Sequence, residues 1–212
     1  MKIKRFEFNM FPVNCYVIWD DTKEAAVIDA GSYWPKEHKV LREFITDMGL
    51  TLRHVLNTHL HLDHIFGNAA LYREFGLKPE ASIKDQDQLD YAPRMCQLFG
   101  FEINEPPQPI GKNLTDGDTV TFGDTRLEVM EVPGHSPGGL VFLCKEDRLL
   151  FSGDSLFCGS IGRTDLKGGD FYTLRESLQR RILTLPDDIV VYPGHGEATT
   201  IGNEKMNNPF FR

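Results

Sequence analysis

The chain has 212 residues, of which 41% are hydrophobic and 25% are charged, a composition typical of globular proteins. This length suits one domain with a substantial core, and no apolar run is long enough to cross a bilayer, so we expect a single domain covering residues 1–212. The net charge of -8 argues against a nucleic-acid partner and against binding to an anionic membrane surface.

The N-terminal ten residues alternate like a strand and lack the apolar core of a signal peptide, which predicts a cytoplasmic protein. The four cysteines are widely spaced, so we expect reduced and mostly buried thiols rather than a disulfide framework. Cys158 falls near the ligand-type motifs described below. A reactive thiol is one interpretation of this residue, and a small buried side chain is the favoured one.

The first half of the chain predicts a β meander followed by alternating helices and a strand. Strands are predicted at 3–8, 15–19, 25–29 and 52–57, with a hairpin turn at Asp20 and Asp21. Helices are predicted at 35–48, 68–76 and 86–99. The apolar stripe of the third helix is interpreted as core; it comprises Leu89, Ala92, Met95, Cys96 and Phe99.

The second half begins with a loop at 105–112 and is again rich in strands before its helix. Strands are predicted at 119–122, 127–131, 141–144 and 149–152, then a helix at 174–185 and a strand at 189–192. Two similar β-then-α halves that face each other predict an α+β fold, a four-layer αββα sandwich with two mixed β-sheets inside and helices outside.

The segment T-H-L-H-L-D-H at 58–64 contains three of the seven histidines and follows a predicted strand. In extended backbone, His59 and His61 project to the same side, so both imidazoles can reach one cation. Asp63 and His64 can face a second cation. Four ligand-type residues within six positions predict a metal site, because isolated surface or core histidines would produce this pattern only by repeated coincidence.

Three later motifs each present one ligand-type side chain on a glycine-containing turn after a predicted strand. P-G-H-S-P-G-G offers His135, S-G-D-S offers Asp154, and P-G-H-G offers His195. His38 and His54 lack this context, and we interpret them as ordinary surface or helix-packing residues.

Together these motifs resemble those of the metallo-β-lactamase superfamily, whose fold is the αββα sandwich predicted above. Within it, S-G-D-S-L-F at 152–157, G-S-I-G-R-T-D-L at 159–166 and P-G-H-G-E-A-T-T-I-G-N-E at 193–204 resemble the short bacterial glyoxalase II-like (hydroxyacylglutathione hydrolase-like) hydrolases. The resemblance covers the chain from 14 to 210.

The resemblance implies two divalent metal ions, with Zn expected and Fe or Mn also compatible with imidazole and carboxylate donors. It assigns His59, His61 and His135 to one metal, Asp63, His64 and His195 to the other, and Asp154 to both as a bridge.

We therefore expect an enzyme that hydrolyses a small acyl thioester by attack of a metal-bound hydroxide on the carbonyl, with Asp63 as the catalytic residue that orients the hydroxide. A thiolate leaves without an acid because the pKa of its thiol is about 8.5. The expected partner is a small-molecule thioester, with no nucleic acid and no membrane; the oligomeric state is not predicted.

Substrate contacts are the less determined part of this prediction. Full-length glyoxalase II enzymes grip glutathione with an additional C-terminal helical domain, for which these 212 residues show no counterpart. We expect segment 86–101 to contact the substrate as a lid. Arg163 and Asp165 either touch a substrate carboxylate or, as favoured, form an internal salt bridge.

Two other activities use related sites. Mono-iron persulfide dioxygenases share the R-T-D segment and bind iron through the equivalents of His59, His135 and Asp154, whereas lactonases and β-lactamases share the full ligand set. The complete second set here favours the hydrolase over the dioxygenase. A non-enzymatic metal-binding protein would be expected to have lost a ligand.

Overall fold

The computed structural model describes residues 1–103 and 105–212. Its first half contains β1 (Lys2–Phe8), β2 (Val13–Trp19), β3 (Glu24–Ile28), α1 (Pro35–Asp47), β4 (Thr51–Leu56), α2 (Leu62–Ile65), α3 (Asn68–Phe75), β5 (Pro79–Ala81), α4 (Gln86–Leu98) and β6 (Lys112–Asn113). Its second half contains β7 (Thr119–Phe122), β8 (Thr125–Glu131), β9 (Leu140–Cys144), β10 (Leu149–Gly153), β11 (Leu156–Phe157), β12 (Ser160–Ile161), α5 (Phe171–Ser177), β13 (Val190–Pro193), β14 (Thr199–Thr200) and α6 (Ile201–Asn207).

The strands form two six-stranded mixed sheets and one small hairpin. The first sheet has the order β1-β2-β3-β4-β5-β6, and its strands from β3 to β6 run parallel. The second sheet has the order β14-β13-β10-β9-β8-β7, in which β10 and β13 are parallel. Strands β11 and β12 pair with each other.

Three apolar layers hold the sheets and helices together. Alternate residues of the fully buried strand β2 point to opposite faces, so Val17 packs in the layer beneath α1 and α3, and Ile18 packs between the sheets. The outer face of the second sheet packs against α5 and α6 through residues that include Leu174 and Ile201. The predicted αββα sandwich is therefore confirmed.

Several predicted boundaries differ from the structure for local reasons. The helix predicted at 174–185 begins at Phe171, because the Asp170 side chain accepts a hydrogen bond from the Thr173 amide at 2.7 Å and caps it. It continues as a wider π-helical turn over Leu178–Ile182.

Among residues 1–103 and 105–212, none of the helices combines the length and apolar character that spanning a membrane requires.

The four cysteines are free thiols, and Cys15, Cys96 and Cys144 are buried as expected. The favoured interpretation of Cys158 as a buried residue is wrong. Its side chain is exposed because the two-residue turn of the β11–β12 hairpin, Cys158 and Gly159, projects away from the core.

Candidate metal centre

The seven side chains predicted as ligands converge where strands of both sheets end. They are His59 and His61 after β4, Asp63 and His64 on α2, His135 after β8, Asp154 after β10, and His195 after β13. Because the carboxyl ends of parallel strands meet at one edge, β4 in the first sheet and the β10–β13 pair in the second deliver their loops to the same place.

The ligand atoms fall into three overlapping groups, within each of which all atoms lie within 4.8 Å of one another. The groups are His59–His61–His135, Asp63–His64–His195 and His59–His64–Asp154. The Asp154 carboxylate reaches both of the first two groups, since its Oδ1 lies 3.4 Å from Nε2 of His64 and its Oδ2 lies 3.7 Å from Nε2 of His135. This is the position that a bridging carboxylate requires.

Hydrogen bonds on the outer side of the cluster fix which ring nitrogens carry lone pairs. Nδ1 of His135 donates to the carbonyl of Arg163 at 2.8 Å, so Nε2 is the nitrogen that can offer a lone pair to a cation. The Thr58 hydroxyl donates its hydrogen to Asp29, so the same oxygen accepts from Nδ1 of His59 at 3.1 Å. The lone pair of the His59 ring is therefore on its Nε2.

These two Nε2 atoms lie 3.2 Å apart, and Nε2 of His135 is also 2.9 Å from Nδ1 of His61. Lone pairs this close repel each other unless a cation lies between them. Similarly, Nδ1 of His195 donates to the carbonyl of Pro12 at 3.2 Å, and its Nε2 faces Oδ2 of Asp63 at 3.2 Å. The donor set therefore fits divalent cations bound by imidazole nitrogens and carboxylate oxygens.

Burial and charge act in opposite directions within the cluster. Burial lowers the pKa of His59 well below its usual value and lowers the pKa of His61 to about 3, so both rings are neutral, the form that binds metals. Burial also lowers the pKa of His64, but the charges of Asp63, Asp154 and Asp29 outweigh burial and raise it well above its usual value. The carboxylates thus require positive charge here, which a divalent cation supplies.

Asp29 supports the cluster and was missed by the sequence analysis. It follows β3 with a left-handed φ of 54° and accepts hydrogen bonds from the amide of Thr58 at 2.8 Å and from its hydroxyl at 2.7 Å. The same carboxylate lies 3.0 Å from Nδ1 of His64. Asp154 was identified as a ligand-type residue on a glycine-containing turn after a predicted strand. Asp29 ends the predicted strand at 25–29 and Gly31 follows it, so a similar signal would have identified Asp29.

Asp85 was also missed, and it joins three segments beneath the ligands. Its fully buried carboxylate accepts from the amide of Gly138 at 2.6 Å, the hydroxyl of Ser136 at 2.9 Å and the amide of Leu60 at 3.1 Å. It thereby ties the loop of His59 and His61 to the loop of His135 at the residue where α4 begins. No local sequence signal marks this role.

A glycine allows Asp154 to approach the β13 loop closely. A Cβ atom at Gly194 would lie 2.1 Å from Oδ1 of Asp154, a distance that no side chain can occupy. The P-G-H-G motif therefore supplies both the predicted ligand His195 and the space beside it.

The side chains of the remaining candidate residues do not belong to the ligand groups. Nδ1 of His38 lies 2.8 Å from the Ser32 hydroxyl, whereas Nδ1 of His54 lies 2.5 Å from Glu80 on β5. Arg163 and Asp165 form the favoured internal ion pair, with Nε to Oδ1 at 2.8 Å and Nη2 to Oδ2 at 2.7 Å.

A cavity of about 710 Å³ opens above the ligands, and residues of α4 and the segment after it form one wall. The apolar stripe of α4 is therefore only partly core. Leu89, Ala92 and Cys96 are buried, but Met95 and Phe99 line the cavity and 53% of Phe99 is exposed. That segment 86–101 contacts a substrate as a lid stays a prediction.

Comparison with known families places this geometry in a wider group. A model described as the metallo-beta-lactamase superfamily matches residues 9–195. The hydroxyacylglutathione hydrolase GloC of Haemophilus influenzae is 38% identical over 211 residues, which cover 99% of this chain and 98% of that one. The mitochondrial persulfide dioxygenase ETHE1 of Homo sapiens is 31% identical over 207 residues, which cover 93% of this chain and 72% of that one.

Two solved structures share this fold, one named for a function and the other for its bound metal. The BLEG-1 B3 metallo-beta-lactamase is 34% identical with a TM-score of 0.89, and the comparison covers 99% of both chains. TTHA1623 in a di-iron-bound form is 35% identical with a TM-score of 0.86, covering 98% of this chain and 99% of that one.

Proposed function

The chain belongs to the metallo-beta-lactamase superfamily, and we propose that it is a binuclear metal-dependent hydrolase that cleaves small acyl thioesters. The observation that carries the proposal is the pair of complete donor groups, His59–His61–His135 and Asp63–His64–His195, with Asp154 between them. The similarity to a hydroxyacylglutathione hydrolase over nearly the whole length of both chains supports a thioester substrate.

Two divalent cations held by these seven side chains would supply Lewis acidity towards the acyl carbonyl and towards a water molecule that becomes the nucleophile. The Asp63 carboxylate lines the cavity, so it is placed to orient that water and to accept its proton. Hydrogen bonds from Nδ1 of His59, His135 and His195 to protein oxygens hold the imidazole rings in orientations that direct their other nitrogens inward.

The chemistry of the leaving group favours thioesters over amides as substrates. A thiolate departs without protonation because the pKa of its thiol is about 8.5, whereas an amine needs a general acid. Among the described residues that line the cavity, the lysine and arginine side chains are Arg163 and Lys167, and each is paired with a carboxylate, Asp165 or Asp87. Neither of these two side chains is therefore available as a general acid to protonate an amine leaving group.

The donor chemistry suits Zn, Fe(II) and Mn(II), because it combines neutral imidazoles with carboxylates and has no thiolate among its members. We propose Zn as the native metal. The di-iron form of TTHA1623 supports iron as the second choice.

The first experiment counts metal ions. Protein purified without chelator and then reconstituted with Zn, Fe(II) or Mn(II) should bind two equivalents, measured by elemental analysis. The matched control is His195→Ala, which removes one donor of the Asp63–His64–His195 group and should leave about one tightly held equivalent. A stable value of one in the unchanged protein would contradict the binuclear site.

The second experiment separates the reaction classes. We expect measurable but weakly saturating hydrolysis of S-lactoylglutathione, and hydrolysis of other small acyl thioesters with comparable kcat/KM. The persulfide dioxygenase is the alternative that the similarity to ETHE1 supports. Oxygen consumption by the iron-loaded protein with glutathione persulfide, with all thioesters left intact, would replace the proposed hydrolase with that enzyme.

A further inference from the structure

We infer that the cavity contains an apolar subsite, formed by Phe11, Met95 and Phe99, that binds an apolar group of the substrate. This inference rests on the proposed function, since the substrate is taken to be an acyl thioester. We call these three side chains the apolar wall. All of them line the cavity that also contains Asp63, His61 and His195.

The two aromatic rings of the wall, those of Phe11 and Phe99, are each partly open to the cavity. The Phe11 and Phe99 rings meet edge to face, with centroids 5.6 Å apart and planes at 73°. Phe101 supports both from behind, at 5.9 Å from Phe11 and 6.3 Å from Phe99. An aromatic ring that is 53% exposed in a cavity beside metal ligands gains free energy when an apolar group covers it.

The wall is held in place by contacts on both sides of the cavity. Leu89 and Ala92 of α4 pack in one apolar cluster with Leu62 and Ile65 of α2. At the other end, the Gln88 amide donates to the carbonyl of Lys167 at 2.5 Å, which joins α4 to the segment that follows Arg163. The subsite is therefore preformed, and an occupant does not have to order it on binding.

The charged residues of the cavity give an anionic carrier little to bind. Arg163 holds Asp165 through two hydrogen bonds, and Nζ of Lys167 lies 3.2 Å from Asp87 and 5.7 Å from the centroid of the Tyr91 ring. A carboxylate of the thiol carrier would have to displace Asp165 or Asp87 to pair with Arg163 or Lys167. Apolar contact with the wall is then the main source of selectivity outside the metal site.

The apolar group can be the acyl chain or the substituent on sulfur, and two substrate series distinguish these sources. One series varies the acyl chain at a fixed carrier, with acetyl, butanoyl, hexanoyl and octanoyl thioesters of N-acetylcysteamine. The other varies the carrier at a fixed acyl group, with acetyl thioesters of N-acetylcysteamine and benzyl mercaptan. We expect kcat/KM to rise in at least one series, by about twofold per added methylene in the acyl series, mainly through KM.

Phe99→Ala is the test variant, and Leu98→Ala is its matched control. Leu98 is the neighbouring residue, is 67% exposed, and does not belong to the described residues that line the cavity. Phe99→Ala should remove at least half of the increase with apolar size, because it removes an exposed aromatic ring of the wall. Leu98→Ala should keep the full increase.

A binding measurement separates this inference from the proposed function. Calorimetric titration of the metal-loaded protein with S-butyl, S-hexyl and S-octyl N-acetylcysteamine, which cannot be hydrolysed, should show affinity rising with chain length and a weaker rise in Phe99→Ala. Such binding without turnover of any thioester would retain the apolar subsite and refute the hydrolase. Turnover that is independent of apolar size in both series, or an equal increase in Phe99→Ala and the unchanged protein, would refute the subsite.

Discussion

Oδ2 of Asp29 lies 3.0 Å from Nδ1 of His64, and both side chains are buried. The same carboxylate also accepts hydrogen bonds from the amide and hydroxyl of Thr58, the residue before His59. One carboxylate therefore faces His64 of one proposed metal group and holds Thr58, whose hydroxyl accepts from His59 of the other. It does so without lying among the ligand atoms itself.

The first prediction is that Asp29→Asn lowers the affinity of the Asp63–His64–His195 group for its metal by about 10–100-fold. The reason is that His64 loses the anionic partner that orients its ring. Competition with a chromophoric chelator would measure this affinity. Asp20→Asn is the control, since Asp20 is also buried but binds Thr22, Asp124 and Thr125 away from the cluster. An equal loss of metal affinity in both variants would indicate general destabilisation instead.

The sequence was sufficient to predict the cluster of proposed ligands and insufficient to predict its support Asp85. Each ligand follows a strand that its own apolar pattern reveals, so local reading could find His135 or Asp154. Asp85 acts on Leu60, Ser136 and Gly138, which meet only because β4 and the β8 loop come together in the folded chain. Such a relationship has no local pattern.

The α4 stripe shows a second limit of the sequence. Helical spacing identifies the apolar face correctly, and Leu89 and Cys96 are buried as predicted. Periodicity does not reveal whether another element covers that face along its whole length. Near its C-terminal end the face meets a cavity instead, which is why Phe99 remains 53% exposed.

The second prediction concerns Asp85. Asp85→Ala should lower the free energy of unfolding by about 3 kcal/mol, because it leaves the buried amides of Leu60 and Gly138 without an acceptor. Urea unfolding in excess chelator would measure this loss without a contribution from bound metal. Ser136→Ala removes only one donor from Asp85 and should cost about 1 kcal/mol. Equal losses in the two variants would contradict the role of Asp85 as the junction of the three segments.

The third prediction is a pH dependence at the His54–Glu80 pair, outside the metal site. Burial lowers the pKa of His54, but the hydrogen bond and charge of Glu80 raise it overall, although nearby Lys112 opposes them. Burial raises the pKa of Glu80, but His54 and Lys112 lower it overall. Nδ1 of His54 faces Glu80 and its Nε2 faces the carbonyl of Thr121 at 3.0 Å, so the protonated ring can donate twice.

The direction of the pH dependence of stability follows from the pKa shifts of His54 and Glu80. Because the pKa of His54 is raised in the folded protein, its full contribution to the free energy of unfolding is present below the unfolded pKa of 6.5. That contribution is lost as the pH rises through the folded pKa. A lowered pKa makes the Glu80 contribution complete above 4.5 and removes it as the pH falls. His54→Gln should therefore cost about 1 kcal/mol more at pH 6 than at pH 9. In a Glu80→Gln background this difference should vanish; its persistence would assign the pH dependence to another pair.

The fourth prediction is that Asp63→Ala lowers kcat by about a hundredfold or more while the thermal midpoint stays within about 2 °C of the unchanged protein. Oδ2 of Asp63 lies 3.2 Å from Nε2 of His195 and 3.5 Å from Nε2 of His64, and its carboxylate also lines the cavity. We therefore propose Asp63 both as a metal donor and as the proton acceptor. Elemental analysis of the same samples separates loss of metal from loss of the proton acceptor. The control is Asp165→Ala at the rim of the cavity, which should keep kcat within about twofold because Asp165 forms an exposed ion pair with Arg163. If Asp63→Ala retained full kcat with both metals bound, the proton acceptor would have to be another group.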